Sequence, residues 1–367
     1  PEGIIAEHLY CRRHCGIFDV SHMGRIDVEG PDQVAFLQHV LSSNVLALDL
    51  NQAQYCIIPD ANGYAIDDAY LYRFEEGKYF LVINAGNIDK DWAHLMNEAK
   101  NFDVKLTNVS DKYAAIAVQG PESKKILMTL SGGRQLTPEN VKNALNSLTM
   151  EGKPVRIAKT GYTGEPIGYE LYCNSEDARY FWDRLIELGA KPTALGARDT
   201  TRMEASLPLY GHEMGECEMG GEIQIYAVPL AKFAVSFAPE KGDFIGREPL
   251  KKQFEAMKKI MNRDYSSIED LPYRIQPIYL EGKGVLRKGF PIYCKDAWAE
   301  SKQIGYVTSG TMIPYYKTRG EGLETVFTEE TGKRSIGLAY MDSRICQDFD
   351  IEIDIRGKRQ PAKVVGY

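Results

Sequence analysis

Three strand-like segments follow one another between residues 54 and 83, and they restrict the possible folds more than any other feature of the sequence. The segments are 54–58 (QYCII), 65–73 (AIDDAYLYR) and 79–83 (YFLVI). An Asn-Gly pair at 62–63 lies between the first two and is a strong signal for a tight turn. Because strands joined by short connections pair antiparallel, the segments predict a meander, and the helical pattern of 88–100 that follows indicates an α+β fold.

The order of a strand followed by a helix recurs along the chain. It is seen in GRIDVE (24–29) before a helix that Pro31 opens, in 114–127 with its Gly-Pro turn, and in strand 168–173 before helix 176–188. Each such helix has an apolar face that must pack on a neighbouring layer. We therefore predict two interleaved, strand-rich layers.

The last third of the sequence has a different character. A charged segment, roughly 251–270, is predicted to be a helix that runs into a linker, and short strands with many glycines and prolines follow it to Tyr367. We predict a first region, 1–242, of two interleaved α+β subdomains. A linker, 243–272, and a C-terminal β-domain, 273–367, complete the chain.

Two adjacent carboxylates lie in the middle of the second strand of the meander. Successive side chains of a strand point to opposite faces, so Asp67 and Asp68 cannot share one pocket. An inward carboxylate costs free energy unless it is paired or hydrogen-bonded. One of the two is therefore either satisfied by a partner or kept for a chemical task.

The composition excludes several classes of function. The chain has 367 residues, a net charge of −7 and no long basic run, which argues against nucleic-acid binding. It has no apolar stretch of about 18 residues and no secretory signal, so we expect no membrane contact and a cytoplasmic location. Of seven cysteines, Cys11 and Cys15 show a Cys-x3-Cys spacing with no second pair downstream, which predicts neither a disulfide framework nor a zinc site. The common phosphate-loop, dinucleotide and zinc-protease motifs are also missing from the sequence.

Several polar residues lie in apolar or glycine-rich surroundings, and each has a structural interpretation. Asp19, Ser21 and His22 resemble a hydrolase triad in composition, but structural hydrogen bonding is the favoured interpretation. The charges of 198–204 fit a solvated helix face with an ion pair between Asp199 and Arg202. The loop TGYTGE (160–165) suits either a flat ligand or a simple hairpin turn, and the sequence leaves both open.

Nine segments, taken together and in order, resemble one family. They are GIFDVSHMG, the NGYAIDD strand, VINAGN, AVQGP, GYTGEPIGYE, ALGARDTTRMEASLPLYGHE, DFIGREPL, GKGVLRKGFP and YVTSGTMIP. They resemble the aminomethyltransferase (T-protein) of the glycine cleavage system and its tetrahydrofolate-dependent relatives, from about residue 5 to the C-terminus. The resemblance implies a three-domain cloverleaf around a site for tetrahydrofolate, with two interleaved α+β domains and a C-terminal jelly-roll-like barrel.

The resemblance also implies roles for individual residues. The first aspartate of the family's Asp-Asp pair is its catalytic carboxylate, and this aspartate falls on Asp67. A carboxylate near the reduced pterin can accept a proton and stabilise the positive charge that develops on the one-carbon unit. Asp68, on the opposite face of the strand, would then have a supporting role.

The remaining site residues are implied in the same way. Glu170 is expected to accept hydrogen bonds from the pterin, and Arg198 matches the family's folate-site arginine. Tyr55, Asn84 and Tyr162 match positions that line the pocket. The residues expected at the mouth of the cavity, from the C-terminal domain, are Arg287, Ser309 and Thr311.

The one-carbon donor is left open by the sequence. In the glycine system it is an aminomethyl group on the lipoyl arm of an H-protein, and this is the favoured function because Asp67 is retained. A tetrahydrofolate-dependent demethylase of a small N-, O- or S-methylated compound is the alternative, suggested by the unusual stretch 215–237 and by 315–335, which resembles an insertion. A non-catalytic folate-binding protein for iron–sulfur assembly is a minor alternative, because Asp243 stands where that group carries a cysteine.

Overall fold

Two sheets, a two-stranded ribbon and a closed barrel contain the strands of the computed structural model, which describes residues 2–294, 302–347 and 349–366. The strands are β1 (Gly16–Asp19), β2 (Gly24–Glu29), β3 (Gln52–Pro59), β4 (Ala65–Glu75), β5 (Lys78–Ile83), β6 (Lys105–Asn108), β7 (Tyr113–Gln119), β8 (Leu145–Met150), β9 (Lys153–Ala158), β10 (Gly168–Asn174), β11 (Lys191–Pro192), β12 (Gly215–Glu216), β13 (Glu222–Ile223), β14 (Tyr273–Leu280), β15 (Pro291–Cys294), β16 (Gln303–Arg319), β17 (Val326–Asp342), β18 (Asp350–Ile355) and β19 (Lys358–Val364).

The α-helices cover the sheets and join them to the barrel. They are α1 (Ile4–Arg13), α2 (Gln33–Val40), α3 (Ile88–Glu98), α4 (Ser123–Leu130), α5 (Ala178–Glu187), α6 (Leu195–Glu204), α7 (Ala231–Ala234) and α8 (Arg247–Met261). Short 3-10 helices lie at Val45–Ala47, Ala85–Asn87, Ala99–Asn101, Ser175–Asp177, Ile225–Ala227, Pro239–Lys241, Ile268–Asp270 and Gly322–Glu324. In the described part of the chain no helix is both long and apolar enough to cross a membrane.

The predicted meander is present as β3, β4 and β5, which are neighbours in a five-stranded sheet of order β3-β4-β5-β2-β6. In the β3–β4 pair Asp67 lies opposite Ile58 and Asp68 opposite Ile57, and the alternation places the two carboxylates on different faces. One face buries a cluster of aliphatic side chains under α2 and α3, with Leu71 and Leu81 fully buried. The other face is turned towards the second sheet.

The two sheets are interleaved in sequence. The second sheet has six strands in the order β11-β1-β7-β10-β9-β8, so β1 belongs to it although β2 to β6 form the first sheet. Ile17 of β1 lies opposite Val118 of β7 and also opposite Pro192 of β11. The predicted fold class, α+β with two interleaved layers and a C-terminal β-barrel, is therefore confirmed.

The segment predicted as a linker is packed against both neighbours. It contains α8, which begins at Arg247, a few residues before the charged run from which we predicted it. Gly246 precedes α8 with a φ of 77°, and a Cβ there would lie 2.3 Å from the carbonyl oxygen of Asp60. Leu250 and Ile260 of α8 share a core with residues of the barrel. The domain limits stay predictions, and the first barrel strand begins at Tyr273.

The barrel closes through six strands in the order β14-β17-β16-β15-β18-β19. The charged segment 315–335 forms the outer end of the long hairpin of β16 and β17. This end lies against α1, where Arg13 binds both carboxylate oxygens of Glu329 at 2.8 Å and stacks over the ring of Tyr316 at 4.0 Å. The hairpin is therefore held by the first helix of the chain.

Candidate active site

A cavity of about 550 Å³ lies between the two sheets and receives side chains from both of them and from α6. The wall is made largely by aromatic and apolar residues, with a few polar groups among them. The lining residues are Val20, His22, Met23, Tyr55, Asp68, Ala69, Tyr70, Tyr72, Val82, Asn84, Ala85, Gly86, Asn87, Ala115, Gly161, Tyr162, Glu170, Tyr172, Leu195, Arg198, Asp199, Arg202, Pro208, Leu209, Tyr210 and His212. A concave apolar site with convergent polar groups is typical of small-molecule binding.

All five residues predicted to bind a ligand line this cavity. Tyr55 comes from β3, Asn84 from the end of β5, Tyr162 from the loop between β9 and β10, Glu170 from β10 and Arg198 from α6. The loop that carries Tyr162 joins two antiparallel strands and also lines the cavity, so its contact with a flat ligand stays a prediction. Sequence segments far apart are thus brought to one place, while the roles of these residues stay predictions.

The aspartate that lines the cavity is Asp68, whereas Asp67 lies behind it. Asp68 accepts hydrogen bonds from the Tyr55 hydroxyl at 3.0 Å and from the Asn84 side-chain amide at 2.8 Å. Asp67 is fully buried and accepts three, from the Asn84 backbone N–H at 2.9 Å, the Asn84 side chain at 2.9 Å and the Asn87 side chain at 2.6 Å. The catalytic role predicted for Asp67 stays a prediction, and the geometry makes Asp68 a stronger candidate for contact with a ligand.

The environment of Asp68 favours its protonated form. Burial raises the pKa of the Asp68 carboxyl to about 7, and the negative charge of Asp67 next to it acts in the same direction. The hydrogen bonds from Tyr55 and Asn84 oppose these effects. A carboxyl group with a pKa near neutrality can both accept and return a proton at physiological pH.

Glu170 presents one carboxylate oxygen to the cavity. Its Oε2 accepts hydrogen bonds from the hydroxyls of Thr160 at 2.6 Å, Tyr72 at 2.8 Å and Tyr172 at 3.3 Å. Every hydrogen bond to this carboxylate from the described residues goes to Oε2. Oε1 is therefore available to accept N–H groups of a ligand.

Arg198 and His22 also reach the cavity. The guanidinium of Arg198 makes no side-chain hydrogen bond or ion pair with any described residue, and burial lowers its pKa although the charge of Glu170 opposes this. His22 lines the cavity as well, and burial followed by the charge of Arg198 lowers the pKa of its imidazole. His22 therefore lies in the cavity mainly as a neutral ring.

The triad-like residues form a local turn, as the structural interpretation predicts. The backbone N–H of Ser21 donates to Asp19 Oδ1 at 2.9 Å, and the Ser21 hydroxyl accepts from the Ala115 N–H at 3.0 Å. The predicted ion pair between Arg202 and Asp199 is present at 2.8 Å. The predicted solvated face is wrong for Arg202, however, because this side chain is buried and also pairs with the fully buried Glu213.

The three residues expected at the mouth do not line the cavity. Ser309 lies one layer behind it, where its hydroxyl contacts Arg202 at 3.0 Å and His212 at 3.1 Å. Arg287 donates to the Gly310 carbonyl at 3.0 Å, and Thr311 lies opposite Ile336 in the barrel. In the described residues no group of three or more His, Cys, Asp or Glu side chains could hold a metal ion.

Other lining residues were missed from the sequence. Tyr70 and Tyr72 follow Asp68 at intervals of two residues on β4, so the strand alternation could have identified them. Tyr210 and His212 lie in a loop after α6 and have no periodic signal of that kind.

Comparisons with known proteins agree with this architecture. Residues 1–226 match the family model described as the GCVT N-terminal domain. Curated aminomethyltransferases of Caldanaerobacter subterraneus subsp. tengcongensis and Bacillus mycoides are 37% and 38% identical to this chain, each over 99% of it, and the match covers 87% and 88% of their length.

A solved structure shows the same fold over the whole chain. The glycine cleavage system aminomethyltransferase T from Bartonella henselae is similar with a TM-score of 0.76 and 25% identity, covering 100% of this chain and 89% of that one. The fold is that of an α+β transferase with a C-terminal barrel. The chain belongs to the aminomethyltransferase family of the GCVT type.

Proposed function

We propose that this protein transfers the one-carbon unit of an aminomethyl-lipoyl donor to tetrahydrofolate, with release of ammonia. The observation that carries the proposal is the convergence of Asp68, Glu170 and Arg198 on one aromatic cavity in a chain of this family. The donor would be presented by a lipoylated H-protein, as in the glycine cleavage system.

The cavity has the size and the groups that tetrahydrofolate requires. Its volume of about 550 Å³ is within the usual range of small-molecule sites. The rings of Tyr55 and Tyr162 are nearly parallel, with an interplanar angle of 26° and centroids 6.5 Å apart, and they offer flat apolar surfaces to the pterin or its benzoyl group. Oε1 of Glu170 would accept N–H groups of the pterin, and Arg198 would face a polar or anionic part of the molecule.

Asp68 would be the proton acceptor in this reaction. The folate nitrogen that forms the new C–N bond must lose a proton, and Asp68 in its ionised form can accept it. Before it accepts this proton, the ionised Asp68 would stabilise the positive charge that develops on the transferred carbon as ammonia leaves; the bond from that carbon to the lipoyl sulfur then breaks, and the sulfur leaves as the thiol. Tyr55 and Asn84 orient this carboxylate through the hydrogen bonds already described.

No observation in the structure favours the demethylase alternative. That alternative depended on the stretch 215–237 and on the segment 315–335. None of the residues of either segment lines the cavity. The aminomethyl-lipoyl donor is therefore the donor we propose.

The test is a product assay with purified protein and tetrahydrofolate. One arm offers an H-protein loaded with the aminomethyl group, and a second arm offers a panel of methylated small molecules. Methylenetetrahydrofolate and ammonia from the first arm would support the proposal. Methyltetrahydrofolate from a small donor would overturn it in favour of a demethylase, and absence of both products would reject transfer altogether.

A pair of variants separates the two aspartates. Asp68→Asn should retain tetrahydrofolate binding and lose about 10²- to 10⁴-fold in kcat, because it removes the proton acceptor from the cavity. Asp67→Asn changes the neighbouring charge and leaves the Asp68 carboxylate in place. A larger loss of kcat in Asp67→Asn than in Asp68→Asn would return the catalytic role to Asp67.

A further inference from the structure

Asp91 is a fully buried carboxyl group close to the site, and the proposed transfer gives it no role. It lies in the first turn of α3, and neither of its oxygens has a hydrogen-bond donor among the described residues. A buried carboxylate without donors costs several kcal/mol, whereas the N-terminus of a helix returns only about 0.3–1 kcal/mol. Asp91 must therefore carry a proton.

Asp91 lies beside Asp67, because Asn87, one helical turn before Asp91 in α3, donates to Asp67 Oδ1 at 2.6 Å, and the two carboxyl groups are within reach of a hydrogen bond. Two carboxyl groups in such contact share a proton. Asp67 already accepts three N–H hydrogen bonds from Asn84 and Asn87, and Asp91 accepts none. The proton consequently belongs to Asp91, and burial followed by the contact with Asp67 raises the pKa of Asp91 to about 10.

The charged groups nearby do not replace this proton. Lys90 is the adjacent cation on α3, but its Nζ donates to the Tyr210 hydroxyl at 2.7 Å and lies 4.3 Å from the centre of that ring. The other titratable groups that face the aspartates are hydroxyls and a thiol whose pKa values are raised, mainly by burial, so they are uncharged. They are Tyr55, Cys56, Tyr70, Tyr162 and Tyr210.

We propose that Asp91 is a positioning residue which stays protonated, donates its proton to Asp67, and so keeps a negative charge next to Asp68 in the cavity. The chain of contacts runs from α3 through the buried face of β4 to the cavity. The Asn84 side chain links Asp67 to Asp68, since it donates to both carboxylates. The effect on catalysis rests on the proposed function, whereas the protonation of Asp91 does not.

Two substitutions of nearly equal size test this role through the pH profile of kcat/KM. Asp91→Asn keeps an N–H donor for Asp67, and Asp91→Leu removes it. Without this donor the negative charge of Asp67 is less well stabilised, so Asp68 loses part of the like charge that favours its protonated form. We expect the acid limb of the profile to move to lower pH by about one unit in Asp91→Leu and to stay unchanged in Asp91→Asn.

A matched control is Asp89→Asn, which removes an exposed carboxylate from the same helical turn. It should leave the profile unchanged. If the acid limb of the kcat/KM profile lies at the same pH in Asp91→Leu, Asp91→Asn and the unmodified protein, the positioning role of Asp91 is overturned.

A second measurement, of the protonation of Asp91 itself, uses the unmodified protein and does not depend on enzyme activity. In the unmodified protein with ¹³C-labelled aspartate carboxyls, NMR at about pH 9 should show one aspartate still protonated, well above the ordinary range of carboxyl pKa values. If all aspartates are ionised at that pH, the protonation of Asp91 is refuted whatever the enzyme does. If this signal is present and the product assay fails, the proposed function is rejected and the proton on Asp91 is retained.

Discussion

Replacement of Glu170 by glutamine should weaken tetrahydrofolate binding by a predictable amount. The three hydroxyl donors to Oε2 come from the protein and can still donate to the glutamine oxygen. The amide NH₂ then takes the place of Oε1 and presents hydrogens to the N–H groups of the ligand. The substitution therefore converts an attractive contact into an opposed one and keeps the local packing.

The expected size follows from the geometry. The ligand can contact one ionised oxygen, and a hydrogen bond to a charged group contributes about 1.5–3 kcal/mol. At 1.4 kcal/mol for each factor of ten, this corresponds to an increase in Kd of about 10- to 100-fold. A larger loss would mean that the substitution disturbs the three hydroxyls as well.

Calorimetric titration of tetrahydrofolate into each protein under reducing conditions would measure the effect. Thr160→Val is the matched control, because it removes one donor to Oε2 and leaves the charge on Oε1, so its Kd should change much less. If Glu170→Gln binds tetrahydrofolate within about twofold of the unmodified protein, which is about 0.4 kcal/mol, the contact with Oε1 does not exist.

Three further predictions concern stability. Arg202→Met should lower the free energy of unfolding by about 3–5 kcal/mol in urea titrations, because the buried Glu213 loses its cation; a loss below about 1 kcal/mol would contradict the ion pair. Although burial opposes it, the contact with His8 Nε2 at 3.3 Å and the charge of Arg12 lower the pKa of Glu204 to about 2. Its stabilisation is therefore lost as the pH falls from about 4.5 towards 2, and melting temperatures of Glu204→Gln should lack this component. Burial lowers the pKa of Lys241 from 10.5 to about 7, so the unfolded chain binds more protons between these values; stability should rise with pH there, and the slope should be smaller in Lys241→Met.

The spacing of apolar residues identified most helices and strands near the site, because each of these elements buries one face and exposes the other. The strand 24–29 has the predicted bounds, β4 extends the predicted 65–73 by two residues, and α3 ends two residues before the predicted 100. The alternation also predicted that Asp67 and Asp68 point to opposite faces. It could not tell which face meets the cavity, since that depends on where the second sheet packs.

The rest of the site depends on contacts between distant residues. Asp91 has the sequence context of an ordinary acidic residue at a helix start, and only its position against β4 makes it unusual. Ser309 was expected at the cavity but binds Arg202 from behind it, a difference of one layer that sequence spacing does not encode. The burial of Arg202 arises in the same way, because the loop after α6 and the barrel cover that helix.

The interleaving of the two sheets has a consequence for how the chain acquires its structure. The strand Gly16–Asp19 leaves the ribosome long before its partners around Val118 and Pro192. During synthesis the five-stranded sheet can assemble before β1 has a strand to pair with. Pairing β1 with β7 and β11 closes a long loop of chain, which is slow. A cut in the chain after β6, the last strand of the five-stranded sheet, would leave β1 on a different fragment from its partners β7 and β11. The two sheets are therefore not separable folding units. We expect them to fold and unfold together, with the cavity between them forming only in the last step.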